Sequence, residues 1–527
     1  MPETPTIPAL FQATVARVAE QPAVGIICDG KLSWKTWSEV AADVSRVQAG
    51  LQAAGVKPGD RVVQFSPNSY EWILTDLAIL SLCAVHVPLH ASLPAAQAAE
   101  QLQLADAALL VVTNQPQSFL NSENIKSVTH SELIGNSSNS QSPVPSPQSS
   151  YLATILFTSG TTGHPRGVML SHGNLATNAI ATTKAVGSPH EETRLCFLPL
   201  SHIYARTCDL YTWLARGTRI VLAENRDTIL RDCQLVRPTV LNGVPYFYQK
   251  VAQSLHAAGK SKQPGALLEL LGGKVRLCFC GGAAVAPEVE KLFAEQGLPL
   301  LSGYGLTEAA PVITATRKEN YCPGSVGRPL ADVEVRLATD GEILARGPNV
   351  MLGYWRDEIA TQAAIVDGWL HTGDLGEFDA DGNLRIVGRR KEIFVLSTGK
   401  KVCPASVEQR LAGSPFVEAV CIVGDGRSHL GALIVPNPQA LKKFIRENRL
   451  WVWSKHRAVT HPQVRKLFRA EIDRVLADAA REEHVGPFLI LPRNFSLETG
   501  EVTAKFSLRR EVIAKNFAGE IEAMFGG

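Results

Sequence analysis

The residues best equipped for chemistry lie in "TSGTTGHPRGV" (158–168), where glycines alternate with hydroxyl side chains and one arginine closes the run. Successive backbone N–H groups in a Gly-rich turn make a concavity that binds anions, and Ser or Thr hydroxyls add donors without bulk. Thr158, Ser159, Gly160, Thr161, Thr162 and Gly163 would form that cradle, and the guanidinium of Arg166 would complete a polyphosphate site. The stretch is not a Walker loop: G-x-x-x-x-G-K-[ST] is absent, and the following "RGVMLS" is patterned as a strand rather than a helix.

The surrounding elements must hold this loop in place. Apolar runs of strand length alternate with helical patterns through residues 1–320, as in "KPGDRVVQFS" followed by "EWILTDLAIL", which predicts an α/β body. "NSSNSQSPVPSPQSS" (136–150) is a polar surface loop or linker by composition. From Tyr321 to Gly388 short strands with "DG" and "NG" turns predict a small β-rich subdomain. A third pattern follows: a helix at Ala405–Leu411, a hairpin in "EAVCIVGDGRSHLGALIVP", and long charged helices over 438–484. The boundary falls at Lys391, dividing the chain into 1–390 and an α+β domain at 391–527.

Composition narrows the classes. With 527 residues the chain exceeds one core. Its 52 Lys and Arg against 50 Asp and Glu carry no strong field, which argues against a nucleic-acid binder. The ten cysteines are scattered; Cys278 and Cys280 share one strand face but lack a second pair at zinc spacing, so buried thiols in a reducing cytoplasm are expected. The N-terminus has no signal-peptide pattern. The apolar run 72–89 is broken by Asp76, His86 and Pro88 and follows a cap-like "NSYE", so it is expected as a buried helix leading into a buried strand, not a transmembrane segment.

"TSGTTGHPRGV" resembles the phosphate loop of the adenylate-forming enzymes, which include acyl-CoA synthetases, luciferases and peptide-synthetase adenylation domains. "LPLSHIYAR" (198–206), "CGGAAVAPEV" (280–289), "GYGLTEAAPVI" (303–313), "GWLHTGDLGEFDADG" (368–382) and "GRRKEIFVLSTGKKVCP" (388–404) resemble that family's further motifs in order. The region around "VHVPLHASLPAAQ" is similar to the long-chain fatty acyl branch.

The resemblance implies specific roles. Tyr304 would stack on adenine, with Gly282, Ala283, Ala284 and Gly305 letting backbone approach the nucleotide. Thr307 would donate to phosphate and Glu308 would hold Mg²⁺, a hard cation that takes oxygen ligands. Asp374, an acceptor when ionised, suits a ribose diol that Arg389 could also reach. His202 would stand beside the substrate carboxylate. Lys391 matches the hinge about which the family turns a C-terminal lid, and Gly399 lies in the loop that then approaches CoA.

Two positions depart from the family. Arg166 stands where a lysine is usual, exchanging a point charge for a fork. Aligning "VTAKFSLRR" on Thr503 and Arg509–Arg510 puts Ser507 where the family's catalytic lysine belongs, with Lys505 two residues earlier and about 6.6 Å away if extended.

The expected protein is an ATP-dependent CoA ligase for medium- to long-chain fatty acids that releases pyrophosphate to form acyl-AMP and then acylates CoA. Alternatives are an acyl–acyl-carrier-protein ligase, or an impaired acyl- or adenylate-binding homologue lacking its lysine. "LNGVPYFYQKV" (241–251) reads equally as core or as acyl-tunnel lining, and peripheral membrane contact stays open.

Overall fold

The computed structural model describes residues 4–113, 125–135, 145–159, 164–187, 191–496, 498–502 and 508–526. Two large sheets build the body. A nine-stranded sheet has six parallel inner strands, running from Leu300–Gly305 through Leu277–Cys280, Val240–Gly243, Thr193–Cys196 and Arg219–Leu222 to Pro22–Cys28, with antiparallel strands at both edges. A seven-stranded sheet is parallel from Leu152–Ser159 through Val85–Leu89, Arg61–Phe65 and Leu109–Val112 to Ser127–Thr129. Pro165–Ser171 returns beside Leu152–Ser159 as an antiparallel hairpin, so a strand does follow the phosphate-loop stretch.

Parallel strands covered on both faces lose the polar alternation of exposed sheets. Val85–Leu89 and Leu109–Val112 are buried at every position. The run 72–89 folds as the helix Tyr70–Ser81 and the strand Val85–Leu89, and Ser69 caps the helix by accepting from the Trp72 amide at 3.1 Å. The largest core contains Trp37, Trp72 and Trp213, the first and last stacked at 4.3 Å. Among the described residues no helix is long and apolar enough to cross a membrane. Cys278 and Cys280 are both buried, and burial pushes both thiols up.

Asp76 and His86, which break the apolar run in sequence, meet Arg206 inside the body, and none of the three side chains is exposed. Arg206 Nη2 lies 2.5 Å from Asp76 Oδ1, and His86 Nδ1 lies 2.6 Å from the same oxygen. Arg206 Nη1 donates to Thr154 Oγ1 at 2.8 Å, Thr154 Oγ1 donates to the His86 carbonyl at 2.6 Å, and the Tyr211 hydroxyl donates to Asp76 Oδ2 at 3.1 Å. Burial alone would raise the Asp76 carboxyl, but the Arg206 charge and the His86 hydrogen bond outweigh it and hold it below its usual range. Burial, followed by the Arg206 charge, pushes His86 down to about 4, so its imidazole is neutral at pH 7.

The β-rich stretch expected from 321 to 388 forms a five-stranded sheet and carries one helix, Glu358–Ala364, started by Asp357, whose side chain accepts from the Ala360 amide. One expectation needs correction. The charged stretch 438–484 is not long helices: it breaks into Pro438–Glu447, Lys455–Thr460 and Pro462–Val475. Pro462 cannot donate its nitrogen into a preceding turn, and the residue before a proline is driven out of helical geometry. Beyond residue 393 the chain builds its own core on the sheet Val417–Val423, Leu430–Pro436 and Val485–Ile490, and the helix expected at Ala405–Leu411 spans Pro404–Ala412.

Removing one partner of a buried ion pair strands the other charge, at a cost of about 3–5 kcal/mol. Asp76→Ala is expected to lower the first urea-unfolding transition by that amount. A change under about 1 kcal/mol, the range of an exposed pair, would contradict a buried, uncompensated Arg206.

Candidate active site

The site is organised around five residues at the end of one strand. Leu300–Gly305 delivers Tyr304, and the 3-10 turn Thr307–Ala309 that follows delivers Thr307 and Glu308. This is the carboxyl end of a parallel strand, where open α/β sheets bind ligands. Gly305 is required sterically, because a Cβ there would sit 1.9 Å from the Pro311 carbonyl oxygen.

On one side of this segment the Tyr304 hydroxyl donates to Asp374 Oδ2 at 2.7 Å, while Arg389 Nε lies 3.1 Å from Asp374 Oδ1. Asp374 and Arg389 face each other across antiparallel strands, Trp369–Phe378 and Leu384–Arg389, which is why residues fifteen apart meet. Burial raises the Asp374 carboxyl, opposed first by the Arg389 charge and then by the Tyr304 hydroxyl. Burial and the Asp374 charge hold the Tyr304 hydroxyl protonated and hence a donor. The three residues expected around a nucleoside are therefore in contact.

On the other side the Tyr354 hydroxyl donates to Glu308 Oε1 at 2.9 Å, and the Arg166 guanidinium lies 5.7 Å from the Tyr354 ring centroid. Arg166 Nε also stands 3.6 Å from Asp357 Oδ2. Tyr354 reaches this position because Gly353–Tyr354 pairs with Pro165–Ser171, placing it opposite Val168. The amide of Met351 binds the Glu308 carbonyl at 2.8 Å, stapling the same segment to both motifs. Thr158 faces Arg166 across the hairpin, and Ser159 ends its strand. Gly160, Thr161, Thr162 and Gly163 lie outside the described residues, as do Lys505 and Ser507.

His202 is half-buried and stacks on His90, with ring centroids 5.2 Å apart and planes at 29°. Its segment is tied to the nucleotide side twice. Thr207 Oγ1 donates to the Ala310 carbonyl at 3.0 Å, and the Tyr204 ring closes on Gly281, where a Cβ would come within 3.0 Å of it. Gly282, Ala283 and Ala284 form an exposed rim; Gly282 takes φ +84° with open space before it. Lys391 is exposed, and Gly399 lies at an exposed hairpin tip between Phe394–Val395 and Lys401–Val402. The helix Pro404–Ala412 rests on the rim: Gln409 donates to the Val285 carbonyl, and Gln249 donates to the Ala412 carbonyl at 3.1 Å. In "LNGVPYFYQKV", Leu241, Phe247, Tyr248 and Val251 are core, whereas Tyr246 is exposed.

Sequence reasoning missed Tyr354, Asp357, His90 and Tyr204. Tyr354 sits in a stretch of hairpin signals outside every quoted motif, so only the strand pairing reveals it. Tyr204 lies within "LPLSHIYAR", and Gly281, whose Cβ position its ring fills, was the signal for it.

A segment with a tyrosine–carboxylate–arginine cluster at one end and an arginine–tyrosine–glutamate chain at the other suits a ligand with a base at one end and phosphates at the other. Fold and site together define a nucleotide-using α/β enzyme. The chain belongs to the AMP-binding enzyme family, whose model matches residues 11–355, and the model of the AMP-binding enzyme C-terminal domain matches 391–527. It is similar to the long-chain-fatty-acid–CoA ligase FadD15 of Mycobacterium bovis, at 31% identity over 95% of this chain and 93% of that one. The peroxisomal long chain acyl-CoA synthetase 7 of Arabidopsis thaliana is 29% identical over 99% of this chain and 87% of its own. In fold it matches the O-succinylbenzoate coenzyme A synthetase of Bacillus subtilis in complex with AMP, with a TM-score of 0.78, 23% identity, and coverage of 95% and 97%.

Asp374→Ala is expected to weaken ATP binding by about tenfold or more, since a hydrogen bond to a charged group is worth roughly 1.5–3 kcal/mol. Because burial raises the Asp374 carboxyl, wild-type affinity should begin to fall at a higher pH than an ordinary aspartate would dictate as pH is lowered. Calorimetric ATP titrations across pH check both; an unchanged affinity in Asp374→Ala would contradict the assignment.

Proposed function

We propose that the protein is an ATP-dependent fatty acid–CoA ligase. The observation that carries the reading is the pairing of the Tyr304–Asp374–Arg389 cluster with the Arg166–Tyr354–Glu308 chain on one segment, in a chain similar along nearly its whole length to proteins named long-chain-fatty-acid–CoA ligases. The acid's carboxylate attacks the α-phosphorus of ATP, a phosphoric anhydride bond breaks, and pyrophosphate leaves with the bonding electron pair. The thiolate of CoA then attacks the acyl carbon, and AMP leaves.

In this reading Tyr304 stacks against adenine and the Asp374 carboxylate accepts from the ribose diol, with Arg389 fixing that carboxylate. Thr307 and the hydroxyls of the phosphate loop donate to phosphate oxygens, and Arg166 neutralises charge on the departing pyrophosphate. Such preorganised donors act without reorganising during the reaction. Mg²⁺ needs few protein ligands when phosphates complete its shell, so the single carboxylate of Glu308, oriented by Tyr354, fits it. Bound there, the ion would neutralise phosphate charge. His202, backed by the His90 ring, stands at the carboxylate end.

Residues 391–527 serve as the lid, turning at Lys391 to bring the exposed Gly399 loop toward the thiol. The remaining cation is the one the family draws from this lid. Arg510, just past that stretch, is anchored by paired hydrogen bonds to Glu408 and by one to the Ile422 carbonyl at 3.1 Å. We assign the cation to Lys505.

ATP–pyrophosphate exchange with palmitate tests this. Lys505→Ala is expected to lower exchange by about a hundredfold or more, in the range of removing one oxyanion-stabilising donor. Wild type inactive with fatty acids of several lengths, but activated by Ser507→Lys, would overturn the ligase reading.

A further inference from the structure

The C-terminal domain carries a feature that the proposed reaction does not use. Residues 450–453 link two helices without forming a helix or strand, and burial alternates along them: Leu450 and Val452 pack against the domain core while Trp451 and Trp453 are 88% and 66% exposed. Large indoles are rarely left in water to this extent. The two rings pack edge to face, centroids 5.5 Å apart, and the Arg457 guanidinium lies 5.0 Å from the Trp453 centroid.

Charge collects around them. The stretch 442–466 holds eight lysines and arginines against one acid, Glu447, whereas the entire chain has an excess of only two cations. Glu447 itself lies 3.9 Å from Lys443. The helix Pro438–Glu447 turns Leu441, Phe444 and Ile445 toward the core and leaves Lys442, Lys443 and Arg446 exposed. Arg449, Lys455 and Arg457 flank the tryptophans and are exposed as well.

We propose that this face docks on a bilayer surface carrying anionic lipids, with Trp451 and Trp453 entering the interface. Indoles favour that layer because an apolar body and a polar N–H suit its two sides, and polybasic segments add attraction to anionic headgroups. A nucleic acid would need open ring faces for base stacking. Here the edge of one indole meets the face of the other, and the Arg457 guanidinium lies over the Trp453 ring.

The test is co-sedimentation of the full chain with phosphatidylcholine–phosphatidylglycerol vesicles and with pure phosphatidylcholine. Wild type is expected to prefer the anionic vesicles and to lose them at high salt, since screening shortens electrostatic reach. Trp451→Ser/Trp453→Ser, and separately Lys442→Glu/Lys443→Glu/Arg446→Glu, are each expected to weaken binding by about tenfold with unchanged melting by circular dichroism. Brominated lipid in the anionic vesicles should quench wild-type tryptophan emission, a readout independent of any variant. No vesicle binding by wild type, equal binding by the tryptophan variant, or tighter binding to a single-stranded oligonucleotide than to vesicles would overturn the proposal. None of these outcomes depends on the ligase reaction.

Discussion

The ion pair between Asp76 and Arg206 is the contact on which the rest of the body depends. Two charges with no exposed surface are tolerated only when each is matched and hydrogen-bonded, and here the bonds tie four elements together. Asp76 belongs to the helix Tyr70–Ser81, His86 to the strand Val85–Leu89, Thr154 to the strand that leads into the phosphate loop, and Arg206 to the segment four residues past His202. A shift in any of them would leave a charge unpaired in the interior. The pair therefore acts as a geometric pin between the strand Leu152–Ser159 and the segment that carries His202. Its worth lies more in the specificity of placement than in net stability.

From that pin the site follows by short connections. The Arg206 segment binds the Ala310 carbonyl through Thr207, and Ala310 closes the turn that presents Thr307 and Glu308. Tyr304 begins the same segment, so the proposed nucleoside and phosphate ends share five consecutive residues. Tyr354 and Asp374 come from the β-rich region, which thereby contributes to both ends.

Much of this was legible in the sequence because its physics is local. A cap in "NSYE", an apolar run too polar at Asp76 and His86 to cross a membrane, and a strand after the Gly-rich stretch follow from local pattern, while the grouping of Asp374 with Arg389 came from the resemblance of ordered motifs. Three things were not legible. Asp76 and Arg206 are 130 positions apart, so the reason for the buried polar residues lay in tertiary packing alone. Tyr354 gained its role from pairing with a distant strand. The charged stretch beyond 438 read as long helices, although the tryptophan-bearing link and Pro462 divide it into short ones; composition there indicated polarity, not length.

The most direct measurement follows all products of one reaction containing palmitate, MgATP and CoA. The account predicts AMP, pyrophosphate and acyl-CoA in equal amounts, with no AMP when the fatty acid is omitted. Formation of ADP and phosphate in step with acyl-CoA, or acyl-CoA without nucleotide cleavage, would contradict it.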